Sequence, residues 1–310
     1  MQPPNHPVPA IATLKILSPG LSTLLVDRGR PRTRSLGVPV GGAADSFSLA
    51  LGNALVGNPP DAPALEVCLS GPVLCADEDL ACVLFGAPFE LNAGRRGLAA
   101  GKTFTLLAGE ELSIQGTPEK ARAYLCVGGG IDGPEVLGSR SSLQPLAAGA
   151  ELPCRRGTSA SRFLRSSFAW DAESRVLRFL PGAQAEWFRE DCLTGQEFTV
   201  TPASNRMGLR LHAEPLGSAE REIVSEPVCP GSVQVTRDGQ CIVLGVDGQT
   251  IGGYPKIAQV IAADLDKLGQ FRPGDRVRFR RVSIEEAEDL YRRKRRELQE
   301  WLLRLDVAER

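Results

Sequence analysis

The chain is divided into many short apolar runs, rich in β-branched residues, by frequent glycine and proline. Its 310 residues include 33 glycines and 23 prolines. Short runs bounded by turn residues are typical of strands, and a long succession of them favours barrels or sandwiches over helical bundles. A chain of this length is also long for one core, so we expect two domains or two tightly joined subdomains. The predicted fold is therefore mainly β with a few helices.

Strands are predicted in both halves of the chain. Those of the first half lie at 14–17, 23–26, twice within 64–75, and at 81–85, 103–107, 111–115 and 123–127. Those of the second half lie at 176–180, 197–200, 208–211, 242–246 and around Val277 and Phe279, which alternate with arginines. We place the first β subdomain at 13–144 and the second at 171–282. Residues 145–170 have no period and indicate a linker or excursion, and residues 1–12 are expected to form a flexible leader.

Three helices are predicted, and two of them have clear N-terminal caps. The first has Asp45 or Ser46 as its N-cap, followed by apolar residues at helical spacing. The second, a C-terminal amphipathic helix at 283–307, starts with a capping box formed by Ser283 and Glu286. Its apolar stripe either packs on its own barrel or is offered to a partner chain, and the spacing leaves both possibilities open.

Charge and composition exclude several classes of function. The 36 lysines and arginines balance 37 acidic residues, which gives no electrostatic case for binding nucleic acid or a membrane. The leader lacks the charged and apolar regions of a signal peptide, so a cytoplasmic location is expected. The eight cysteines form no Cys-x-x-Cys pair and only two histidines are present, which argues against a zinc site and favours reduced thiols.

The most informative stretch for function is 239–268. An apolar run at 242–246 reads as a buried strand, a polar turn follows from Asp247 to Thr250, and a helix is predicted from about Pro255. A glycine turn between a strand and a helix leaves backbone N–H groups free to hold an oxyanion or a carbonyl oxygen. Tyr254 and Lys256 lie beside it and can each donate a hydrogen bond.

Two patterns that look like nucleotide signatures are rejected. Gly128 to Gly133 matches G-x-G-x-x-G after a strand, but Pro134 follows and no helical pattern supports a dinucleotide-binding turn. The segment from Gly97 to Thr103 is one residue short of a P-loop and leads into a strand, so we interpret it as a β-turn. No Gly-x-Ser-x-Gly elbow is present, and a Ser-His-Asp hydrolase is therefore not expected.

Other polar residues lie near glycines, and for any one of them a role in turn or cap chemistry is the safer interpretation. Asn53 and Glu66 belong to this group. Arg140 and Arg206 are stronger candidates, because a loop arginine beside small polar residues suits bidentate binding of a carboxylate or phosphate.

Several motifs resemble one family, the biotin-dependent carboxyltransferase-like proteins known as allophanate hydrolase subunit 2, which includes the C component of the bacterial ATP-dependent 5-oxoprolinase. The resemblance covers roughly residues 14 to 287. The matching segments are GVPVGGAAD, GNALVGN, LEVCLSGP, YLCVGGGIDGPEVLGSRSS, RFLPG, SNRMGLRL, SEPVCPGSVQV and GQCIVLGVDGQTIGGYPKIAQVIAADL. The family resemblance implies two cyclophilin-like β-barrel subdomains. The sequence departs from the family pattern before Asp27, where a glutamine is missing, and at Gly248 and Ile251.

The resemblance implies a protein that works with the B and A components of 5-oxoprolinase as partners, to open the lactam of 5-oxo-L-proline to L-glutamate with ATP. ATP, with Mg, is expected at the level of the complex. The catalytic candidates are Lys256, Tyr254, Gln249 and Asp247. The candidates for binding the small-molecule substrate are Thr250, Gly252, Gly253, Arg140, Ser141, Asn205, Arg206, Gln234, Gly41, Gly42 and Asp45.

Two other functions stay open. The first is a carboxyltransferase component that moves a carboxyl group from carboxybiotin to urea or a similar acceptor, in which case biotin is the cofactor. The second is a non-catalytic regulator that binds an inhibitor of a sensor kinase, where that inhibitor is similar to the B component. The absence of a biotin-attachment segment in the sequence favours the oxoprolinase interpretation.

Overall fold

The first half of the molecule consists of two antiparallel sheets that face each other across one apolar core. The computed structural model describes residues 11–165, 175–217 and 223–307. The strands of this half are β1 (Ile11–Ser18), β2 (Thr23–Val26), β3 (Ala64–Cys68), β4 (Val73–Ala76), β5 (Leu80–Gly86), β6 (Leu91–Ala93), β7 (Arg96–Leu98), β8 (Phe104–Leu106), β9 (Glu111–Ile114), β10 (Arg122–Val127) and β11 (Glu151–Arg155). One sheet has the order β11-β1-β4-β9-β6-β7 and the other has the order β2-β3-β10-β5-β8.

The five-stranded sheet is buried on both faces, which explains why its strands are almost continuously apolar. Leu65 and Leu125 point into the core between the sheets. Phe85 and Tyr124 point to the opposite face, where helix α1 (Ser46–Leu55) covers them. Asp45 is the N-cap of this helix and accepts a hydrogen bond from Ser48 N at 3.0 Å, as predicted.

The second half is a closed barrel of seven strands beside a small hairpin. Its strands are β12 (Val176–Pro181), β13 (Phe198–Val200), β14 (Gly208–His212), β15 (Glu226–Pro227), β16 (Ser232–Val235), β17 (Cys241–Leu244), β18 (Ile251–Gly252), β19 (Lys256–Val260) and β20 (Arg276–Arg281). The barrel order is β12-β19-β16-β17-β14-β13-β20, and β15 pairs with β18. The parallel pairing of β12 with β20 closes the barrel. Val277 and Phe279 point inward while the arginines between them are exposed, which confirms the period of two.

The prediction of a helix from about Pro255 is wrong, because Lys256–Val260 forms strand β19 of the barrel. The apolar residues at 257, 260 and 261 fit a helical stripe, but Ile257, Val260 and Ile261 are β-branched and favour a pleated strand. The chain turns helical only afterwards, as a 3₁₀ helix at Ala262–Gly269. The glycine turn therefore joins two strands, β18 and β19, and does not lead into a helix.

The segments predicted to lie outside the subdomains contain ordered strands. Residues 151–155, within the predicted linker or excursion at 145–170, form β11, which pairs with β1. Residues 11 and 12, the end of the predicted leader, open β1, while residues 1–10 lie outside the described residues. In β11 only Leu152 and Cys154 are apolar and inward-facing, and the pattern is too short to distinguish from a loop.

Helix α2 (Ile284–Val307) packs across both halves of its own chain. Leu298, Trp301 and neighbouring residues contact the cluster that covers the outer face of the five-stranded sheet. Ala287 and Leu290 contact a second cluster formed by Ile261, Ala263 and Val282. Ser283 Oγ accepts a hydrogen bond from Glu286 N at 3.1 Å, so the predicted cap is formed. Among the described residues, no helix is both long and apolar enough to cross a membrane.

Candidate functional site at the junction of the two halves

Two glycine-rich loops of the first half bring it into contact with the second. Gly42 has a φ of +77°, and a Cβ on it would lie 2.5 Å from the backbone nitrogen of Gly29. Only glycine permits this approach of one loop on the other. The neighbouring Gly41 then donates a hydrogen bond from its N–H to the carbonyl of Val246 at 3.0 Å. The GVPVGGAAD segment therefore meets the polar turn of the second half directly.

A buried carboxylate lies at the centre of this junction. Glu66, on β3, is 1% exposed and accepts hydrogen bonds from Ala44 N at 2.8 Å and Tyr124 OH at 2.9 Å. Its other oxygen accepts bonds from Arg122 Nε at 3.2 Å and from Arg206 Nη1. Burial alone would raise the pKa of Glu66, but the two guanidinium charges outweigh it and lower that pKa. Glu66 is thus held as an anion.

Arg206 connects three segments of the junction. Its Nε and Nη2 bind Asp247 Oδ2 and Oδ1 at 2.7 Å and 2.9 Å, in a bidentate arrangement. Nη2 also donates to the carbonyl of Gly42 at 2.6 Å. Both oxygens of Asp247 are therefore committed to Arg206, and in this conformation Asp247 positions that guanidinium group.

Gln270 joins the second half to the first-half strand β10 and to Asp45. Its Oε1 accepts bonds from the N–H groups of Ala121 and Arg122, and its Nε2 donates to Asp45 Oδ2 at 2.8 Å. Burial, together with the negative charge of Asp266, raises the pKa of Asp45 from 3.8 to about 6. Asp45 therefore serves the helix cap and the junction at once.

A cleft of about 760 Å³ opens beside this polar network. Its walls are mainly apolar and come from both halves and from the first turns of α2; they include Val243, Val260, Leu265 and Ile284. Arg206 and Arg122 line it together with the acids Asp266 and Glu288, and of the predicted site residues Gly41 and Asn205 also line it. A mainly apolar cleft with a few charged groups is the usual form of a small-molecule site.

A second group of predicted residues surrounds the turn that leads into β19. Lys256 Nζ lies 3.1 Å from Glu226 and donates to the carbonyl of Pro227 at 3.1 Å. Gln184 connects this pair, since its Oε1 accepts from Lys256 N at 2.9 Å and its Nε2 donates to Glu226. The Lys256 side chain is 16% exposed, so its ammonium group remains within reach of solvent. We call this group, with Tyr254 and the residues described next, the Lys256 turn.

Amide side chains crowd the glycines of the Lys256 turn. A Cβ on Gly252 would lie 2.7 Å from Gln234 Nε2 and 2.8 Å from Gln249 Nε2. Thr250 and Gln234 are buried, whereas Tyr254 is 39% exposed. Around Gly253 there is more room, because the nearest atom to a Cβ there is Ser225 Oγ at 3.4 Å. The turn thus presents several hydrogen-bond donors over a backbone with no side chain.

Arg140 and Ser141 belong to a different arrangement, in the first half. Arg140 is paired with Asp132 at 2.9 Å and Glu135 at 3.2 Å. Ser141 Oγ donates to Asp27 Oδ1 at 2.6 Å. Burial by itself raises the pKa of Asp27, but hydrogen bonds from Ser139, Ser141 and the Arg140 backbone outweigh it and lower that pKa. These contacts bind the loop 139–141 to the Asp27 carboxylate, which is a structural role.

The structure also brings residues into the site that sequence reasoning did not select. Arg122 and Gln270 were not selected, and Glu66 was interpreted as structural. The available signal was a charged residue within an otherwise apolar strand, as at Glu66 in ALEVC and Arg122 in RAYLCV. Charges almost never occur in buried strands unless they are paired. Asn53 is buried in α1 and donates to the carbonyl of Ala62 at 2.8 Å, which is a structural role.

Comparison with known proteins gives the family. The chain matches a carboxyltransferase domain model, subdomain A and B, over residues 36–281. It is 34% identical to the C component of the 5-oxoprolinase of Escherichia coli (strain K12) over 290 residues, which are 88% of this chain and 93% of that protein. The crystal structure of TTHA0988 superposes with a TM-score of 0.80 at 33% identity, over 89% of this chain and 57% of that one.

The Kluyveromyces lactis urea amidolyase structure has a TM-score of 0.84 at 25% identity, over 93% of this chain. This chain corresponds to 20% of that protein, so it spans only a part of the larger solved relatives. Both the solved structures and the domain model cover the two halves together. The chain belongs to the carboxyltransferase domain family, with both subdomains A and B.

Proposed function

We propose that this protein is the C component of an ATP-dependent 5-oxoprolinase complex. The observation that carries the proposal is the nearly end-to-end correspondence with the C component of the Escherichia coli 5-oxoprolinase, over 88% of this chain and 93% of the relative. The urea amidolyase match instead places this chain within a protein of about five times its length. In the proposal this chain shares the relative's assembly, with the B and A components as partners in the cytoplasm.

The Lys256 turn is the part of the molecule that suits the chemistry best. An unstrained amide resists attack by water, and polarising or phosphorylating its oxygen lowers the barrier. Gln249 Nε2 lies beside Gly252, Gly253 next to it is exposed, and Lys256 and Tyr254 follow two to four residues along the same turn, so each can supply a donor. In the proposal, these donors hold the lactam oxygen of 5-oxo-L-proline, Thr250 and Gln234 shape the turn, and Asp247 holds Arg206.

ATP and Mg belong to the complex in this proposal, and no step on this chain depends on them. Among the described residues, no group of three His, Cys, Asp or Glu side chains is placed to hold a metal ion. The glycine run at 128–130 leads from β10 into a loop with no helix, so its backbone does not form a phosphate-binding helix start. The chain's own contribution is to bind and orient the substrate amide.

The proposal is tested by reconstitution. The purified chain, combined with its B and A partners, is expected to release L-glutamate from 5-oxo-L-proline only when ATP is present. The same complex without this chain is the control. No glutamate release with all three components present would refute the proposal, and transfer of a carboxyl group from carboxybiotin to urea would support the carboxyltransferase alternative. Tight binding of the B component with no turnover of either substrate would support the regulatory one.

A further inference from the structure

Arg30 is a buried cation with no carboxylate partner among the described residues. It is 2% exposed, and its Nε and Nη2 donate to the carbonyls of Val136 and Ser141 at 3.0 Å and 2.7 Å. Buried arginines are almost always paired with an acid, because removing a charge from water is costly. Two neutral carbonyls position the guanidinium group without forming an ion pair, and the nearest buried acid in this loop, Asp27, is connected to it only through Ser141.

The third nitrogen of Arg30 is directed toward Gly41, at the contact between the two halves. A Cβ on Gly41 would lie 3.4 Å from Arg30 Nη1 and 3.8 Å from Asp247 Oδ1. Within the described part of the chain, Nη1 donates no hydrogen bond to a protein atom, unlike Nε and Nη2. Glycine at 41 keeps the approach to it open.

Arg34 brings a second guanidinium group to the same turn of the second half. Its Nη2 lies 3.4 Å from the carbonyl of Gln249, which is long for a hydrogen bond. Its Nη1 is buried and has no hydrogen-bond partner among the described residues. A buried donor without a partner costs free energy, and in native proteins such a donor is commonly satisfied by a ligand, an ion or a water molecule.

Among the described residues, Arg30 and Arg34 take part in none of the ion pairs of the junction. Asp247 is bound at both oxygens by Arg206, and Glu66 is bound by Arg206 and Arg122. These two carboxylates therefore balance the two arginines that contact them. Arg30 and Arg34 have no acid within ion-pairing distance in the described residues, and both face the segment 247–249. Guanidinium groups with open donors are the usual recognition groups for a carboxylate or a phosphoryl group.

We propose that Arg30 and Arg34 bind the carboxylate of the substrate, at the mouth formed by the loop 30–41 and the turn 247–249. The inference rests on the proposed function, because 5-oxo-L-proline is a cyclic amide that carries one carboxylate. The residues that bind the carboxylate then come from the first half, whereas the donors to the lactam oxygen come from the Lys256 turn of the second half. A site divided in this way is complete only when the two halves are joined.

The test compares two lactams that differ by the carboxylate alone, 5-oxo-L-proline and 2-pyrrolidinone. Equilibrium binding of each to the assembled complex is measured without ATP, so the result does not depend on turnover. Arg34→Gln is expected to weaken 5-oxo-L-proline binding by about tenfold to a hundredfold and to leave 2-pyrrolidinone binding unchanged. Arg32→Gln is the matched control, since it removes the same charge from an exposed residue of the same loop and should change neither affinity.

Arg30→Lys is a second variant, because it keeps the buried charge but loses the planar fork, and it should also weaken only the carboxylate ligand. The inference is overturned if Arg34→Gln behaves like Arg32→Gln, if it weakens both lactams equally, or if wild type binds neither. Loss of affinity for inorganic phosphate or ATP with unchanged 5-oxo-L-proline binding would overturn it as well, since the anion would then be a phosphoryl group. Wild type that discriminates the lactams but releases no glutamate would refute the proposed function and leave the inference standing.

Discussion

The junction around Glu66 and the Lys256 turn both consist of acids paired with bases, but they differ in depth. Glu66 is 1% exposed and is held by Arg122 and Arg206 from opposite sides of the junction. Lys256 and Glu226 are 16% and 33% exposed, and they come from neighbouring segments of the second half. The bases are similarly buried, since Arg206 is 12% exposed, so the two pairs differ in the acid. Removal of a base leaves Glu66 as a charge without water, whereas Glu226 can exchange its partner for water or substrate. Glu66 and Arg206 therefore stabilise the contact between the halves, whereas Lys256 is the better candidate for contact with a substrate.

The strongest test of this difference is removal of Arg206. Arg206→Ala leaves Glu66 with one arginine and Asp247 with none, and should reduce the free energy of unfolding by about 3–5 kcal/mol. Arg210→Ala, at an exposed position of β14, should stay within about 0.5 kcal/mol of wild type. Urea denaturation monitored by fluorescence measures both. Equal unfolding midpoints for the two variants would show that the junction does not depend on this ion pair.

Removal of Lys256 should give the opposite result. Lys256→Met is expected to lower glutamate release by the assembled complex about a hundredfold, as for loss of one donor to a reacting oxygen. Its free energy of unfolding should change by less than about 1 kcal/mol, because Glu226 is one-third exposed and keeps its hydrogen bond from Gln184. Lys15→Met removes a surface pair with Glu151 and is the control for both measurements. Full activity in Lys256→Met would remove Lys256 from the proposed chemistry.

The pH dependence of stability tests the acid side of the junction. The pKa of Asp45 is raised to about 6 by burial and by Asp266, so the folded state favours its protonated form. Protonated Asp45 therefore contributes on the order of 3 kcal/mol to the free energy of unfolding below about pH 4, and this contribution is lost as the pH rises through 6. Asparagine is an equally good N-cap, so Asp45→Asn should flatten this part of the profile. The free energy of unfolding is measured between pH 4 and 8 for Asp45→Asn and for the surface variant Asp61→Asn. The same pH profile for both variants would contradict the role assigned to Asp45.

Two adjacent glycines provide the mildest test, within the Lys256 turn. A methyl group on Gly252 would displace the amides of Gln234 and Gln249, whereas one on Gly253 meets no atom closer than 3.4 Å. Because the displaced groups are ends of flexible side chains, the free energy of unfolding of Gly252→Ala should lie within about 1 kcal/mol of the wild-type value. Its turnover in the complex should fall about tenfold, and Gly253→Ala should stay within twofold. Equal activities would indicate that the amides do not contact the substrate.

Local patterns predicted most of the strands, both α-helices and the cap at Asp45, since turn residues and apolar periods determine these features over short distances; short strands such as β6, β7 and β16 were not predicted. The error at β19 arose because the helical spacing of Ile257, Val260 and Ile261 was given more weight than their β-branched side chains. The junction was beyond such reasoning, as Glu66 and Arg206 are separated by 140 residues and nothing local to either one specifies the other. The residues of the Lys256 turn could be selected because they lie close together in the sequence, and their roles remain proposals.

The position of helix α2 at the end of the sequence affects how the protein folds during translation. The helix follows both halves in the sequence, yet its Leu298 and Trp301 cover apolar surface around α1, and its Ala287 covers Ile261 and Val282. During synthesis the two halves leave the ribosome before the helix that covers them, so these surfaces stay in contact with water until translation reaches it. Nascent chains that end before Ile284 would expose both patches together and should be substrates for chaperones.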